Sequence, residues 1–141
     1  MSQMFAGRCL CGAVEYQITG EPKRFHHCHC QRCRKATGTG HASNLFVSPS
    51  LPEKITWIKG ENLVVRYKVP DAERFTNSFC GQCGGRMPRY VSDLDVVMIP
   101  AGSLDIEPAM APQARIFWDS RAPWSCDAGD LPVHSEYPAN N

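Results

Sequence analysis

His26-His27-Cys28-His29-Cys30-Gln31-Arg32-Cys33-Arg34-Lys35-Ala36-Thr37-Gly38 places three cysteines within six residues, flanked by histidines and cations. Three thiolates this close can hold one soft metal ion and leave its fourth tetrahedral position free. Structural zinc sites are closed by four protein ligands, whereas catalytic ones keep three and reserve the fourth for water or substrate. Cys28, Cys30 and Cys33 therefore read as an open zinc site. Two rivals stay open: a closed site completed by Cys126, His27, His29 or His41, or cysteines shared with a second cluster. On the open-site reading Cys126 is a lone thiol. His29, His27 and His41 are then candidates for moving a proton near neutral pH.

A second cluster follows from Cys80-Gly81-Gln82-Cys83-Gly84, which has the form of a zinc knuckle. The tight turn between such cysteines aims backbone N–H groups at the sulfurs, and a following glycine tolerates positive φ. Two more ligands are needed, and Cys9-Leu10-Cys11 supplies the remaining pair. In an extended segment residues two apart share a face, so Cys9 and Cys11 are expected to point together. Buried thiols without metal are the plain alternative. Seven thiolates around two dications stay anionic. Arg32, Arg34 and Lys35, with Arg8 and Arg24, are placed either to offset that charge or to meet a ligand's carboxylates.

The chain has 141 residues and a formal charge of +1, the size of one domain. One domain over 1–141 is expected, with a core from about residue 5 to 138 and no linker or repeat. The small net charge argues against a general nucleic-acid binder. No apolar run approaches a membrane span, and Met1–Gly7 lacks the cationic and apolar regions of a secretory signal. A cytoplasmic setting is expected, where thiols stay reduced and clustered cysteines bind metal rather than form disulfides. Had a signal been trimmed away, eight cysteines could instead make four bridges.

Short β-branched and aromatic segments punctuated by Gly and Pro predict a mostly β protein. Strands are expected at Ala13–Ile18, Asn44–Val47, Ile55–Ile58, Leu63–Val69, Phe75–Phe79, Val96–Ile99 and Arg115–Trp118. Gly20-Glu21-Pro22 reads as a turn, and Gly7 as the start of the ordered part. Arg32–Thr37 reads as a short helical turn stopped by Gly38. Trp57, Trp118 and Trp124 are expected to be core or packing residues, and the residues after Leu131 to be loosely held.

Five motifs then fall in order: Gly7-x-Cys9-x-Cys11-Gly12-x-Val14, His27-Cys28-x-Cys30-x-x-Cys33-Arg34, Phe79-Cys80-x-x-Cys83-Gly84, Ala101-Gly102-Ser103-Leu104-Asp105 and Ser120-Arg121-Ala122-Pro123-Trp124. Together they resemble the glutathione-dependent formaldehyde-activating enzyme family, which also includes centromere protein V. The resemblance implies a tent-like pair of twisted, zinc-stabilised β-sheets. It also implies a structural zinc on Cys9, Cys11, Cys80 and Cys83, and a catalytic zinc on Cys28, Cys30 and Cys33. The implied reaction is of the S-(hydroxymethyl)glutathione synthase type, a carbon–sulfur lyase acting on a thiol such as glutathione and a small aldehyde. A non-catalytic zinc module that binds a protein partner is the alternative. With only three protein ligands, the second zinc should be the more labile.

Overall fold

The computed structural model describes residues 1–125 and 131–139; Cys126 lies outside them. In chain order the elements are β1 (Gln3–Arg8), β2 (Glu15–Cys28), α1 (Gln31–Thr37), β3 (Ala42–Pro49), β4 (Thr56–Lys59), β5 (Val64–Lys68), β6 (Thr76–Cys80), β7 (Arg89–Val91), β8 (Val96–Pro100) and β9 (Ala114–Ile116). The protein is mostly β, as its alternation and turn residues anticipate. A seven-stranded sheet carries β1, β2, β3, β4, β7, β8 and β9, and a second sheet pairs β5 with β6.

Strand β2 organises the larger sheet. Its first half pairs β1 along Glu15–Gly20 and β4 along Glu15–Gln17. Its second half pairs β3 from Gly20 to Cys28 and β9 along His26–Cys28. At Gly20 it pairs Gln3 and Pro49 at once, so β1 and β3 take opposite edges. Hence β4 and β3 follow one another along one edge, and β1 and β9 along the other. Only the β2–β9 pairing is parallel among the described strand pairs.

Gly20-Glu21-Pro22 is therefore not a turn: β2 runs through it. The register shifts between Pro22 and Arg24, a bulge where a residue without an N–H is tolerated. Gly20 serves close approach instead, since a Cβ there would lie 2.2 Å from the Ser48 carbonyl oxygen. Order also begins before Gly7, in β1. The expected strand at Arg115–Trp118 ends at Ile116, because Phe117 turns to φ 54° and a 3-10 turn follows over Trp118–Ser120.

The main core gathers Phe5, Tyr16, Ile18, Leu45, Val47 and Ile99, with Cys9 and Cys80 packed into it. Cys28, Cys33 and Ala42 form a separate small cluster against Phe75 and Ile116. One cysteine set thus belongs to the core, and the other stands apart from it. Trp57 packs partly buried, edge-on to Tyr16. Trp118 and Trp124 are 40% and 65% exposed, so neither is a core residue, although Trp118 packs edge-on to His29. Residues 131–139 are exposed and outside any strand or helix. No helix among the described residues is long and apolar enough to cross a membrane.

Candidate metal centres

The seven described cysteines form no disulfide. Their sulfurs gather into two sets, Cys9/Cys11/Cys80/Cys83 and Cys28/Cys30/Cys33, each within 4.8 Å of one another.

The four-cysteine set is built from two matching turns. The Gly12 N–H donates to the Cys9 carbonyl (3.1 Å) and the Gly84 N–H to the Cys80 carbonyl (2.8 Å). Both glycines sit at φ 78°, where a Cβ would be strained. Cys9 and Cys11 thus converge through a turn, not through the strand alternation expected from sequence. Backbone N–H groups point at the sulfurs: Val14 to Cys9, Gln82 to Cys80 and Gly85 to Cys83, at 3.3, 3.3 and 3.4 Å. The Gly85 N–H, then that of Cys11, holds the Cys83 thiol down to about 6. The sulfurs of Cys9 and Cys11 lie 3.7 Å apart, and those of Cys11 and Cys80 4.0 Å. A tetrahedron with zinc–sulfur bonds of about 2.3 Å has edges of roughly 3.8 Å. The donor set and spacing fit such an ion.

The three-cysteine set spans the junction between β2 and α1. Cys28 ends the strand and Cys30 is the N-cap of α1, its sulfur accepting the Cys33 N–H at 3.3 Å. Gly38, at φ 73°, donates to the Arg34 carbonyl and stops the helix where the sequence predicts. Seven residues are too few for a helix to stand alone, so tertiary ties hold it. Arg34 Nη1 donates to the Ser120 carbonyl at 3.0 Å. Without a cation the three thiols divide charge unequally. A hydrogen bond from Cys33 holds Cys28 down to about 6, and the same contact, with burial, pushes Cys33 far up. Three sulfurs that cannot all ionise unaided are a fitting cradle for a divalent, thiophilic ion.

These sulfurs line a cavity of about 530 Å³. Its walls include Phe75, Ile116 and Phe117, and its polar lining includes Asn44, Arg32, Arg86 and Arg89. Asn44 points Nδ2 at Cys33 Sγ (4.0 Å), while its Oδ1 is buried without a partner. Phe117 holds a left-handed φ of 54° at this wall, a conformation costly for a bulky residue.

The sequence-predicted residues divide around this cavity. Of the cations, Arg32 lines it; Arg34 is spent on Ser120, and Lys35 is exposed. The three histidines gather beside it without lining it. His27 stacks on His41 at 4.1 Å between ring centres, and His29 lies 5.1 Å from His41 and 4.9 Å from Trp118. Burial, then the His41 charge, lowers the pKa of both His27 and His29. No histidine nitrogen joins the three sulfurs as a fourth donor among the described residues.

Arg86, Arg89, Asn44 and Phe117 were not singled out from sequence. Cations just past the second knuckle were visible in Gly85-Arg86-Met87-Pro88-Arg89. Their approach to Cys33 depends on how that segment returns over β8, for which spacing carries no signal.

Across residues 4–120 the chain matches the family model described as "Glutathione-dependent formaldehyde-activating enzyme". It is similar to a crystal structure of a Rhodobacter sphaeroides protein, a structural-genomics target, with TM-score 0.58 and 18% identity. That likeness covers 82% of this chain and 98% of the other, and concerns the fold. No curated protein matches the chain.

Proposed function

This chain belongs to the glutathione-dependent formaldehyde-activating enzyme family, and on that footing we propose that it is a zinc enzyme of carbon–sulfur lyase type. It would join a glutathione-like thiol to a small aldehyde, or split their S-hydroxyalkyl adduct. Cys9, Cys11, Cys80 and Cys83 hold a structural zinc; Cys28, Cys30 and Cys33 hold a second. The observation that carries this is three converging sulfurs, with no fourth protein donor among the described residues, opening on a cavity. A zinc ion held by Cys28, Cys30 and Cys33 would lower the pKa of a thiol entering the cavity.

The chain's own residues do the rest. Asn44 supports Cys33 by its Nδ2 contact. Arg32, with the more distant charge of Lys35, draws an anionic thiol to the cavity; Arg34 positions α1 through Ser120. The sulfur bonds to the aldehyde carbon, the carbonyl π pair moves to oxygen, and the new alkoxide takes up a proton. His29, His27 and His41 handle the protons by way of water, since none of their rings lines the cavity. Lowered basicity makes His27 and His29 acceptors for the thiol proton rather than standing acids. Reduced thiols of this kind suit the cytoplasm.

The test is exchange between free formaldehyde and its glutathione adduct, followed by NMR alongside metal content. Wild-type protein with two zincs should accelerate exchange. Cys30→Ser should keep the fold and one zinc and lose both the second zinc and the acceleration. Full turnover by that variant would overturn the assignment. Two zincs indifferent to added glutathione would favour a non-catalytic module.

A further inference from the structure

We propose that Arg86 and Arg89 form an anion-recognition pair for the three-cysteine cavity, so that the thiol admitted there must carry carboxylate. The inference rests on the reading of this cavity as a thiol site and names the class of thiol it accepts.

Both arginines line the cavity, and no aspartate or glutamate does. Neither takes part in an ion pair among the described residues; those involve Arg8, Lys23, Lys54, Arg74 and the N-terminus. Arg86 Nε donates to Asn77 Oδ1 at 2.9 Å, which fixes the plane of its guanidinium. Arg89 Nε is buried without any partner. Burial depresses both guanidinium pKa values, and the charge of Arg86 depresses that of Arg89 further. Both are half-buried, and a cation that gives up part of its hydration without gaining a carboxylate is costly to fold around. Such an arrangement makes sense where a ligand completes it.

The thiolates are the first alternative partner, since Cys33 attracts both guanidinium groups. Charge counting shows that they are not enough. Three thiolates with one dication keep a single negative charge, whereas Arg32, Arg86 and Arg89 bring three positive ones. The cavity therefore stays positive by two. Glutathione bound as a thiolate, with two carboxylates and one ammonium, carries two net negative charges and closes that balance. A small uncharged thiol does not. The guanidinium fork is also shaped for a carboxylate, which it binds through two parallel N–H donors.

Arg89 further faces a neighbouring cavity of about 360 Å³, shared with Lys54, Arg66 and Ser78. Ser78 Oγ is buried there without a partner. Cationic lining thus continues beyond the metal cavity, through Arg89 to Lys54 and Arg66.

The experiment is calorimetric titration of zinc-loaded protein with glutathione, glutathione diethyl ester and 2-mercaptoethanol. Wild-type protein should bind glutathione about tenfold or more tighter than the diester, as charge-assisted hydrogen bonds would require. Arg89→Met and Arg86→Met should each erase most of that preference while leaving diester affinity within about twofold. Arg89→Lys should recover only part of it, because the charge returns without the fork. Retention of both zincs and an unchanged or raised melting temperature in Arg89→Met would show that folding is intact. Equal binding of glutathione and diester by wild-type protein would overturn the inference and leave the thiol site standing. So would a preference that survives in the Arg86/Arg89 double variant. Failure of all three thiols to bind would overturn the thiol site itself, and this inference with it.

Discussion

The sulfur of Cys11 lies 4.0 Å from that of Cys80, 69 positions along the chain. This contact ties the turn between β1 and β2 to the end of β6, and Cys80 is fully buried in the main core. Metal binding at such a centre is folding free energy, of order 10 kcal/mol or more, comparable with a domain's whole net stability. Cys80→Ser is therefore expected to leave the chain unfolded or molten at 25 °C, and a strong chelator to melt the wild type. Cys30→Ser, outside that core, should retain the native near-ultraviolet circular dichroism spectrum. If both variants gave the same folded spectrum and the same melting temperature, the division into core and peripheral centres would be wrong.

Two glycines at nearly equal φ separate conformational strain from collision. Gly84 (φ 78°) has nothing within 4 Å of where a Cβ would stand; Gly60 (φ 80°) would place one 2.1 Å from the Ala13 carbonyl oxygen. Gly84→Ala should cost only the left-handed penalty, about 1–2 kcal/mol. Gly60→Ala should cost more, because the Ala13 backbone must also shift. Urea denaturation of the two zinc-loaded variants gives the order directly; a larger loss at Gly84 would contradict it.

These two glycines also mark what was legible in the sequence. Turns that close locally were readable: the Cys80–Gly84 knuckle and the Gly38 stop of α1 follow from residue types a few positions apart. So were strands such as Asn44–Val47 and Val96–Ile99, whose side chains meet a buried sheet face. Both cysteine sets emerged because seven sulfurs have few sensible partners. Gly20-Glu21-Pro22 misled, since the same residues that make turns also permit a bulge and a close strand approach. Arg86 and Arg89 were hidden because their place beside Cys33 is set by tertiary return of the chain. Trp118 and Trp124 differ for the opposite reason: large aromatic rings look like core, yet here neither is buried, and Trp118 packs on His29 with 40% of its surface exposed.

Phe117 offers a test of strain held at the cavity wall. The residue is 63% exposed and its φ is 54°. Phe117→Gly removes the left-handed penalty and loses little burial, while adding the backbone entropy of glycine in the unfolded chain. Stability should stay level or rise by up to about 1 kcal/mol. Binding of glutathione should weaken, because an apolar wall of the cavity is gone. Thermal melting and calorimetry on the same sample read both effects. A marked loss of stability with unchanged thiol affinity would show that Phe117 serves the fold and not the site.

Tyr16 sets the alkaline limit of the fold. Its ring is buried in the main core and its hydroxyl donates to Ser103 Oγ at 2.6 Å, while Ser103 in turn donates to the Pro100 carbonyl at 2.7 Å. Burial pushes the phenol pKa up to about 12; Ser103 opposes this because its hydroxyl can turn to donate to the phenolate, and the nearby Asp105 charge reinforces it. A folded-state pKa above the unfolded value of about 10 means that the unfolded chain gives up its proton first. The contribution is therefore fully present below pH 10 and is lost as pH rises toward 12. It amounts to roughly 2–3 kcal/mol at one pKa unit per 1.36 kcal/mol. Tyr16→Phe should cost about 1 kcal/mol at pH 8 through the lost hydrogen bond, and should flatten the decline in stability between pH 10 and 12. Denaturation midpoints of the two proteins at pH 8, 10 and 11.5 decide it: parallel curves would mean that the buried phenol is not the group that titrates.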